Sequence, residues 1–314
     1  MAKVKDLIIG AAVGYTWDDL KYWINSIRKT DFDGDVVLVG TNLKSETINR
    51  LTNEGVILNL YGIRKENGDV DSPTNNAPHV ERFFYLWEYL RSTKEFYRYV
   101  ITTDTRDVVF QRNPVKWLES NLQMYPFVCG SEGLRYKNEP WGNQNLHDAF
   151  GPYFHNLLKD EYIYNVGVLA GKFSHMKGLL SFIFHMSVIR PIPVVDQAVF
   201  NMIINTEPWK LDTYFVTMED DWTVHLGTTI EAVKAGSGDL GKTLGDNPTN
   251  LLKYQLSYED KQPVIDENGI VYNERKMPYT IVHQYDRILF LKNQIEKLYG
   301  DDDAKPGTIF HHSI

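Results

Sequence analysis

Apolar and polar positions alternate along the first hundred residues in two rhythms. Asp6 to Val13 is almost wholly apolar, the pattern of a buried strand. Behind it Leu20, Trp23, Ile24 and Ile27 recur at the spacing of one helical face. Thr16-Trp17-Asp18-Asp19 precedes that face and resembles a capping box, in which an acidic side chain reaches back to the first backbone donors. Val36 to Gly40 predicts a second strand, Ser45 to Glu54 a second helix, and Val56 to Leu60 a third strand. Gly62 to Ala77 is rich in Asn, Asp, Gly and Pro and reads as a loop. Pro78 opens a third helix where its missing N–H does no harm. Val80, Phe83, Phe84 and Trp87 give that helix an apolar face, and Arg82 lies off it.

Next comes Arg98-Tyr-Val-Ile-Thr-Thr-Asp104-Thr-Arg-Asp107-Val-Val-Phe, a strand pattern that runs into two carboxylates. Carboxylates beside a core strand are costly unless something compensates them. A divalent cation is one compensator, since magnesium and manganese favour carboxylate and phosphate oxygens. A turn capped by both Asp side chains is the other reading. Alternating strands and helices imply a mainly parallel sheet with helices on both faces. Ligands of such sheets sit beyond the carboxyl ends of the strands, where Asp104 and Asp107 fall.

The second half is less regular. Phe127 to Ser131 reads as a strand and Gly133 to Asn156 as a long loop carrying Trp141. Tyr162 to Gly171 is a strand in which Gly167 marks a close approach to the backbone. Asp196-Gln197 stands ahead of an apolar helix, Ala198 to Ile204, and Asp196 reads either as a functional carboxylate or as that helix's cap. Gln262 to Tyr272 is a hairpin turning at Asn268-Gly269. The strand Tyr279 to His283 and the helix Ile288 to Leu298 close the pattern. Residues 234–250 read as a Gly-rich surface loop. Within it Gly236-Ser-Gly-Asp-Leu-Gly241-Lys242-Thr243 satisfies the phosphate-loop pattern, but that motif needs a strand before it, and the helix-like Thr229 to Lys234 stands there instead.

Composition narrows the class. The chain has 314 residues, 43% of them hydrophobic and 24% charged, which suits one large globular domain or two small ones. A net charge of -8 with no basic patch speaks against a nucleic-acid partner. The single cysteine, Cys129, excludes an intrachain disulfide and suits a reducing, cytoplasmic compartment. Gly178 to Ile189 is the longest apolar run and is too short to span a membrane. Lys3 and Lys5 before Leu7 to Gly14 imitate a short signal peptide, but Tyr15-Thr-Trp-Asp-Asp follows without a cleavage pattern, so a first strand is expected.

Five parts then stand in a recognisable order. They are Arg82 in Val-Glu-Arg-Phe-Phe, Asp104-Thr-Arg-Asp107, Asn165-Val-Gly167, Asp196-Gln197, and His283 in Ile-Val-His-Gln-Tyr-Asp-Arg. Together they resemble the GT-A glycosyltransferases, and in layout glycosyltransferase family eight. Two departures mark a distant branch: two residues rather than one separate the motif carboxylates, and the Gly and Lys-Pro-Trp that follow the family's late histidine are missing.

The resemblance implies an α/β, Rossmann-like GT-A fold forming one catalytic domain over 1–314. A nucleotide-binding half would span 1–125 and an acceptor-binding half 126–314. It implies a nucleoside-diphosphate sugar as donor, manganese or magnesium as cofactor, and a glycan acceptor. Asp107 would contact the metal, Asp104 the ribose or the metal, and His283 the metal, with His225 as competing ligand. Asp286 or a backbone carbonyl would hold the other nitrogen of His283. Ala12, Val13, Gly14 and Tyr15 would border the base, and Arg82 the diphosphate and sugar. Asn165, Gly167 and Gln197 would complete the donor site. Asp196 would act as base in an inverting reaction, with Glu219, Asp220 and Asp221 in reserve, or would only orient donor or acceptor hydroxyls in a retaining one. A nucleotidyltransferase shares the need for carboxylates and metal, but Ala11-Ala12-Val13-Gly14-Tyr15 lacks that class's basic residue. A non-catalytic carbohydrate-binding protein would have no need of Asp104, Asp107 and His283 together.

Overall fold

The computed structural model describes residues 4–74, 77–236, 238–244 and 248–300. Its centre is a seven-stranded sheet in the spatial order Thr213–Val216, Phe127–Arg135, Tyr162–Lys172, Tyr97–Thr103, Lys5–Val13, Asp35–Thr41 and Ile57–Leu60. Tyr162–Lys172 runs antiparallel to both of its neighbours, and the remaining pairs are parallel. The expected α/β architecture is therefore present.

Side-chain alternation along Lys5–Val13 divides the core. Leu7 and Ile9 pack on one face with Val37, Val39, Phe83 and Leu86. Ile8 packs on the other with Trp23, Ile24, Leu38 and Ile101. The helix Trp17–Lys29 begins as expected, with the Asp19 carboxylate accepting the Thr16 backbone N–H at 2.8 Å. The helix Pro78–Ser92 covers the opposite face.

A smaller sheet positions the site. His225 in Thr223–His225 pairs parallel with His283 in Ile281–His283, and His283 pairs antiparallel with Val108 in Val108–Phe110. Its Val109, Val224 and Val282 are buried together with Tyr279, Leu291 and Ile295. The helix Leu289–Tyr299 and the hairpin of Val264–Ile265 with Val271–Tyr272 follow the expected pattern.

Three expected loops contain regular structure. The stretch taken as a loop from Gly133 to Asn156 holds the end of Phe127–Arg135 and a helix, Pro140–Leu158, interrupted at Gly151 (φ 74°). The Glu139 side chain caps it, accepting from the backbone of Trp141 at 3.0 Å and of Gly142. Residues 234–250 include a helix, Gly238–Leu244, and the start of another, Pro248–Ser257. Leu240 and Leu244 are buried there with Leu134, Val233 and Tyr254, and that burial overrides the loop-like glycine content. Of the phosphate-loop pattern, Ser237 lies outside the described residues; the helix Ile230–Lys234 precedes it, as expected. Within Gly62 to Ala77, Ile63–Arg64 pairs with Val70–Asp71.

Candidate active site

Tyr97–Thr103 delivers Asp104 at its carboxyl end, and the Asp104 N–H donates to the Gly167 carbonyl at 2.8 Å. Asp107 immediately precedes Val108–Phe110, and its carbonyl accepts the Gln284 N–H at 2.7 Å. Strand register with Val108 then brings His283 to the same place. One ligand atom from each of Asp104, Asp107 and His283 lies within 4.8 Å of the others. His283 Nε2 stands 3.4 Å from Asp104 Oδ2 and 3.7 Å from Asp107 Oδ1.

Burial holds His283 below its ordinary pKa and outweighs the opposing pull of Asp107. That favours the neutral ring, the form that ligates metals. Gly167 is the close approach anticipated from the sequence. A Cβ there would lie 2.5 Å from His283 Cε1 and 2.9 Å from Asp104 Oδ2. The cluster thus needs a residue without a side chain on the facing strand.

Arg82 reaches in from the helix Pro78–Ser92. Its Nη1 bonds Asp104, and its Nη2 donates to Asp196 Oδ2 at 2.9 Å. Asp196 is the first residue of the helix Asp196–Ile204 and follows its cap residue, Val195. The carboxylate makes no capping bond and is committed to Arg82, so the cap reading fails.

These groups border a cavity of about 320 Å³. Arg82, Asp104, Asn165 and Gly167 line it, as do Asp196, Gln197 and His283. Asp107 sits behind them, 3.8 Å from Arg287 Nη2. The cavity wall does not include Ala12 to Tyr15. Ala12 is packed in the core, and the Gly14 N–H is bonded to the Thr41 carbonyl at 3.2 Å. Tyr15 lies nearer the acidic turn. Burial raises its hydroxyl pKa, while Arg106 and Asp107 act on it in opposite senses.

Glu219, Asp220 and Asp221 do not line the cavity either. Asp220 accepts the Thr217 backbone N–H at 2.9 Å, Asp221 accepts from Trp117 Nε1 at 2.7 Å, and Glu219 lies 4.0 Å from Arg275. His225 is fully buried and meets His283 instead of the cavity, with Nδ1 to Nδ1 at 3.0 Å. It occupies the place expected of Asp286 or a carbonyl. Asp286 is paired with Arg287 Nη1, both oxygens at 2.8 Å.

Sequence reasoning missed three charged groups in the wall, Glu132, Glu139 and Arg287. Glu132 Oε1 accepts from Asn165 Nδ2 at 2.6 Å and Gln197 Nε2 at 3.2 Å. Burial raises the Glu132 pKa against those two bonds. Its signal was available, because it follows an apolar run in the sequence just as Asp104 does. Arg287 follows His283 by one helical turn's worth of residues, on the short turn Tyr285–Arg287.

Neither a protein-family model nor a curated protein sequence matches this chain. Solved structures do. Mouse xyloside xylosyltransferase 1 is similar at a TM-score of 0.51 and 12% identity, over 89% of this chain and 97% of that one. The glycosyltransferase GlyE of Streptococcus pneumoniae TIGR4 aligns at a TM-score of 0.46 and 12% identity, over 90% of this chain. This chain spans 55% of the length of that protein. The galactosyltransferase LgtC, solved with donor and acceptor sugar analogues, aligns at 0.46 and 12% identity, over 88% of this chain and 86% of that one. The fold is that of the GT-A glycosyltransferases.

Proposed function

We propose that this chain is a metal-dependent glycosyltransferase. It moves a sugar from a nucleoside-diphosphate sugar to a hydroxyl of a glycan acceptor, in the assembly of a surface polysaccharide or a glycoprotein glycan. The observation that carries this reading is the convergence of Asp104, Asp107 and His283 at the carboxyl edge of a GT-A sheet, beside two guanidinium groups. Two carboxylates and an imidazole suit manganese, and the carboxylates also suit magnesium. When bound, such an ion supplies a Lewis acid for the negative charge of the departing diphosphate.

The chain's own residues do the rest. Arg82 fixes Asp104 and Asp196 at the cavity wall, and Arg287 places a second guanidinium there. Both favour a diphosphate over an uncharged leaving group. Asp196 keeps Oδ1 for the acceptor hydroxyl and takes its proton, while Arg82 holds Oδ2. Asn165 and Gln197 fix one Glu132 oxygen and leave the other to bind a sugar hydroxyl. The nucleotide falls to the 1–125 half, with its base beside Tyr15, and the acceptor to the 126–314 half. The buried Cys129, alone of its kind, supports a cytoplasmic setting. Among the described residues no helix is long and apolar enough to cross a membrane.

The test is nucleoside-diphosphate binding with and without manganese, followed by hydrolysis of common nucleotide sugars. Asp107→Asn should abolish the manganese-dependent part of binding and leave the melting temperature nearly unchanged. Full manganese-dependent binding in that variant would sink the reading.

A further inference from the structure

Trp141 departs from the pattern that the other six of the chain's seven tryptophans follow. Trp23 Nε1 donates to the Thr103 hydroxyl at 2.8 Å, and Trp117 Nε1 donates to Asp221 at 2.7 Å. Trp222 packs on Trp117, Trp209 on Phe127 and Trp87 on Phe84, and the Arg50 guanidinium lies over Trp17. Among the described residues Trp141 has no such partner: no aromatic ring or cation covers its face, and its Nε1 donates to no protein group. It is 41% exposed and stands in the cavity wall. A single exposed hydrophobic residue on an open surface is ordinary. An uncovered indole in the wall of a cavity is the kind of surface a ligand completes.

The ring is carried on a rigid element. Trp141 is the second residue of Pro140–Leu158, and its backbone N–H donates to Glu139 Oε1 at 3.0 Å. The polar wall can be followed by contact from the carboxylate and histidine cluster to this ring. Gly167, pressed against His283 and Asp104, donates its N–H to Asn165 Oδ1 at 2.7 Å. Asn165 Nδ2 then donates to Glu132 Oε1 at 2.6 Å. Glu132 in turn acts through space on Glu139, whose carboxylate holds the Trp141 backbone. Trp141 therefore stands at the far end of the wall from the cluster, where Val194 and Leu240 add apolar surface. A pyranose ring fits that combination. Its C–H groups form an apolar face that the electron-rich indole attracts, and its hydroxyls form a rim that donates to a carboxylate.

We propose that Trp141 is the platform on which a pyranose ring of the acceptor stacks, with its hydroxyls turned toward Glu132. This role rests on the glycosyltransferase reading of the cavity and names the acceptor class for it. The donor sugar is tied to its diphosphate and stays beside the cluster, so the indole at the far end meets the acceptor. An open-chain polyol offers the same hydroxyls without a rigid apolar face, and Trp141 discriminates against it. Truncating a tryptophan that anchors a ligand typically costs about 30-fold in affinity.

Two measurements test it. In the first, the full chain carries fluorotryptophan, and its fluorine NMR spectrum is followed as the methyl β-pyranosides of glucose, galactose and xylose are added. Trp141→Phe identifies the Trp141 signal by its loss. That signal should move, saturably, with one or more of these glycosides and stay in place with sorbitol. A Trp141 signal unmoved by all three glycosides up to their solubility, or moved equally by sorbitol, overturns the proposal. In the second, ligand-observed NMR reads glycoside affinity in variants checked by melting curves. Trp141→Ala should weaken binding by about 30-fold, and Trp141→Phe, which keeps a ring face, should recover most of the loss. Affinity within twofold of the parent in Trp141→Ala overturns the stacking. Should Trp141→Ala not fold, Trp141→Phe and the parent spectrum decide. Manganese-dependent nucleoside-diphosphate binding on the same samples separates the two readings. Its absence in the parent sinks the proposed function, and a glycoside shift at Trp141 then still upholds a saccharide site. Its loss in a folded Trp141→Ala, to the same extent as glycoside binding, would place Trp141 on the donor and overturn the acceptor assignment.

Discussion

The guanidinium of Arg82 joins two carboxylates that the sequence holds far apart, Asp104 at 22 positions and Asp196 at 114. Asp196 is only 6% exposed at its side chain, so this is an interior pairing on that side. The helix Pro78–Ser92 and the helix Asp196–Ile204 are thereby tied across the cavity.

Removing Arg82 strands both partners. Arg82→Met should lose about 1–3 kcal/mol of stability in urea denaturation, because a buried acceptor is left without its donor. Adding Asp196→Asn should restore part of that loss, since it removes the stranded charge. A double variant no more stable than Arg82→Met would show that the pairing is not what Arg82 contributes.

Gly167 has no room for a side chain. Gly167→Ala would press a methyl group onto His283 and Asp104, and overpacking of this kind costs about 1–3 kcal/mol. Manganese affinity should fall with it, because the two ligand-bearing groups are the ones displaced. An Ala variant with parental melting temperature and manganese affinity would refute the close approach.

Glu139 makes stability depend on pH. Burial raises its carboxyl from an ordinary 4.5 to about 7, against the bonds from Gly142 and Trp141. A raised carboxyl means that the folded chain holds this proton more tightly than the unfolded chain does. The contribution is therefore complete below about pH 4.5 and lost as pH rises toward 7, a change of about 3 kcal/mol. Glu139→Gln removes that dependence, although it weakens the cap of Pro140–Leu158. The variant should compare poorly with the parent at pH 5 and better at pH 8, by chemical denaturation. A constant difference between the two pH values would contradict the assignment.

Arg287 should matter for phosphate binding. Arg287→Met is expected to weaken nucleoside-diphosphate binding by about 10–100-fold, the size of one charge-assisted hydrogen bond. A nucleoside without phosphate should bind both forms equally. Unchanged diphosphate affinity would remove Arg287 from the site.

The order of strands and helices was legible because each burial pattern is local. Asp104 and Asp107 stood out through the cost of carboxylates beside an apolar strand, and Gly167 through its break in one. Glu132 obeyed the same rule but fell just past the expected end of its strand. The helix Pro140–Leu158 was hidden because the break at Gly151-Pro152 interrupts its period and Glu139 caps it from outside the usual cap residues. The partnership of His225 and His283 could not be read, since it depends on the register of two strands 58 positions apart. The placement of Ala12 to Tyr15 away from the cavity wall is likewise a matter of packing, with no local signature.

The pairing of Val108 with His283 also gives the protein a timetable. Asp104 and Asp107 leave the ribosome early, and the imidazole that completes their cluster follows much later. At roughly 5–20 residues per second, the stretch from Asp107 to His283 takes about 10–35 s to synthesise. During that interval the growing chain carries two carboxylates with neither the small sheet nor the histidine to close around them. An unfinished chain of this protein has therefore no complete cluster, and the capacity that cluster confers arrives all at once with a single late strand.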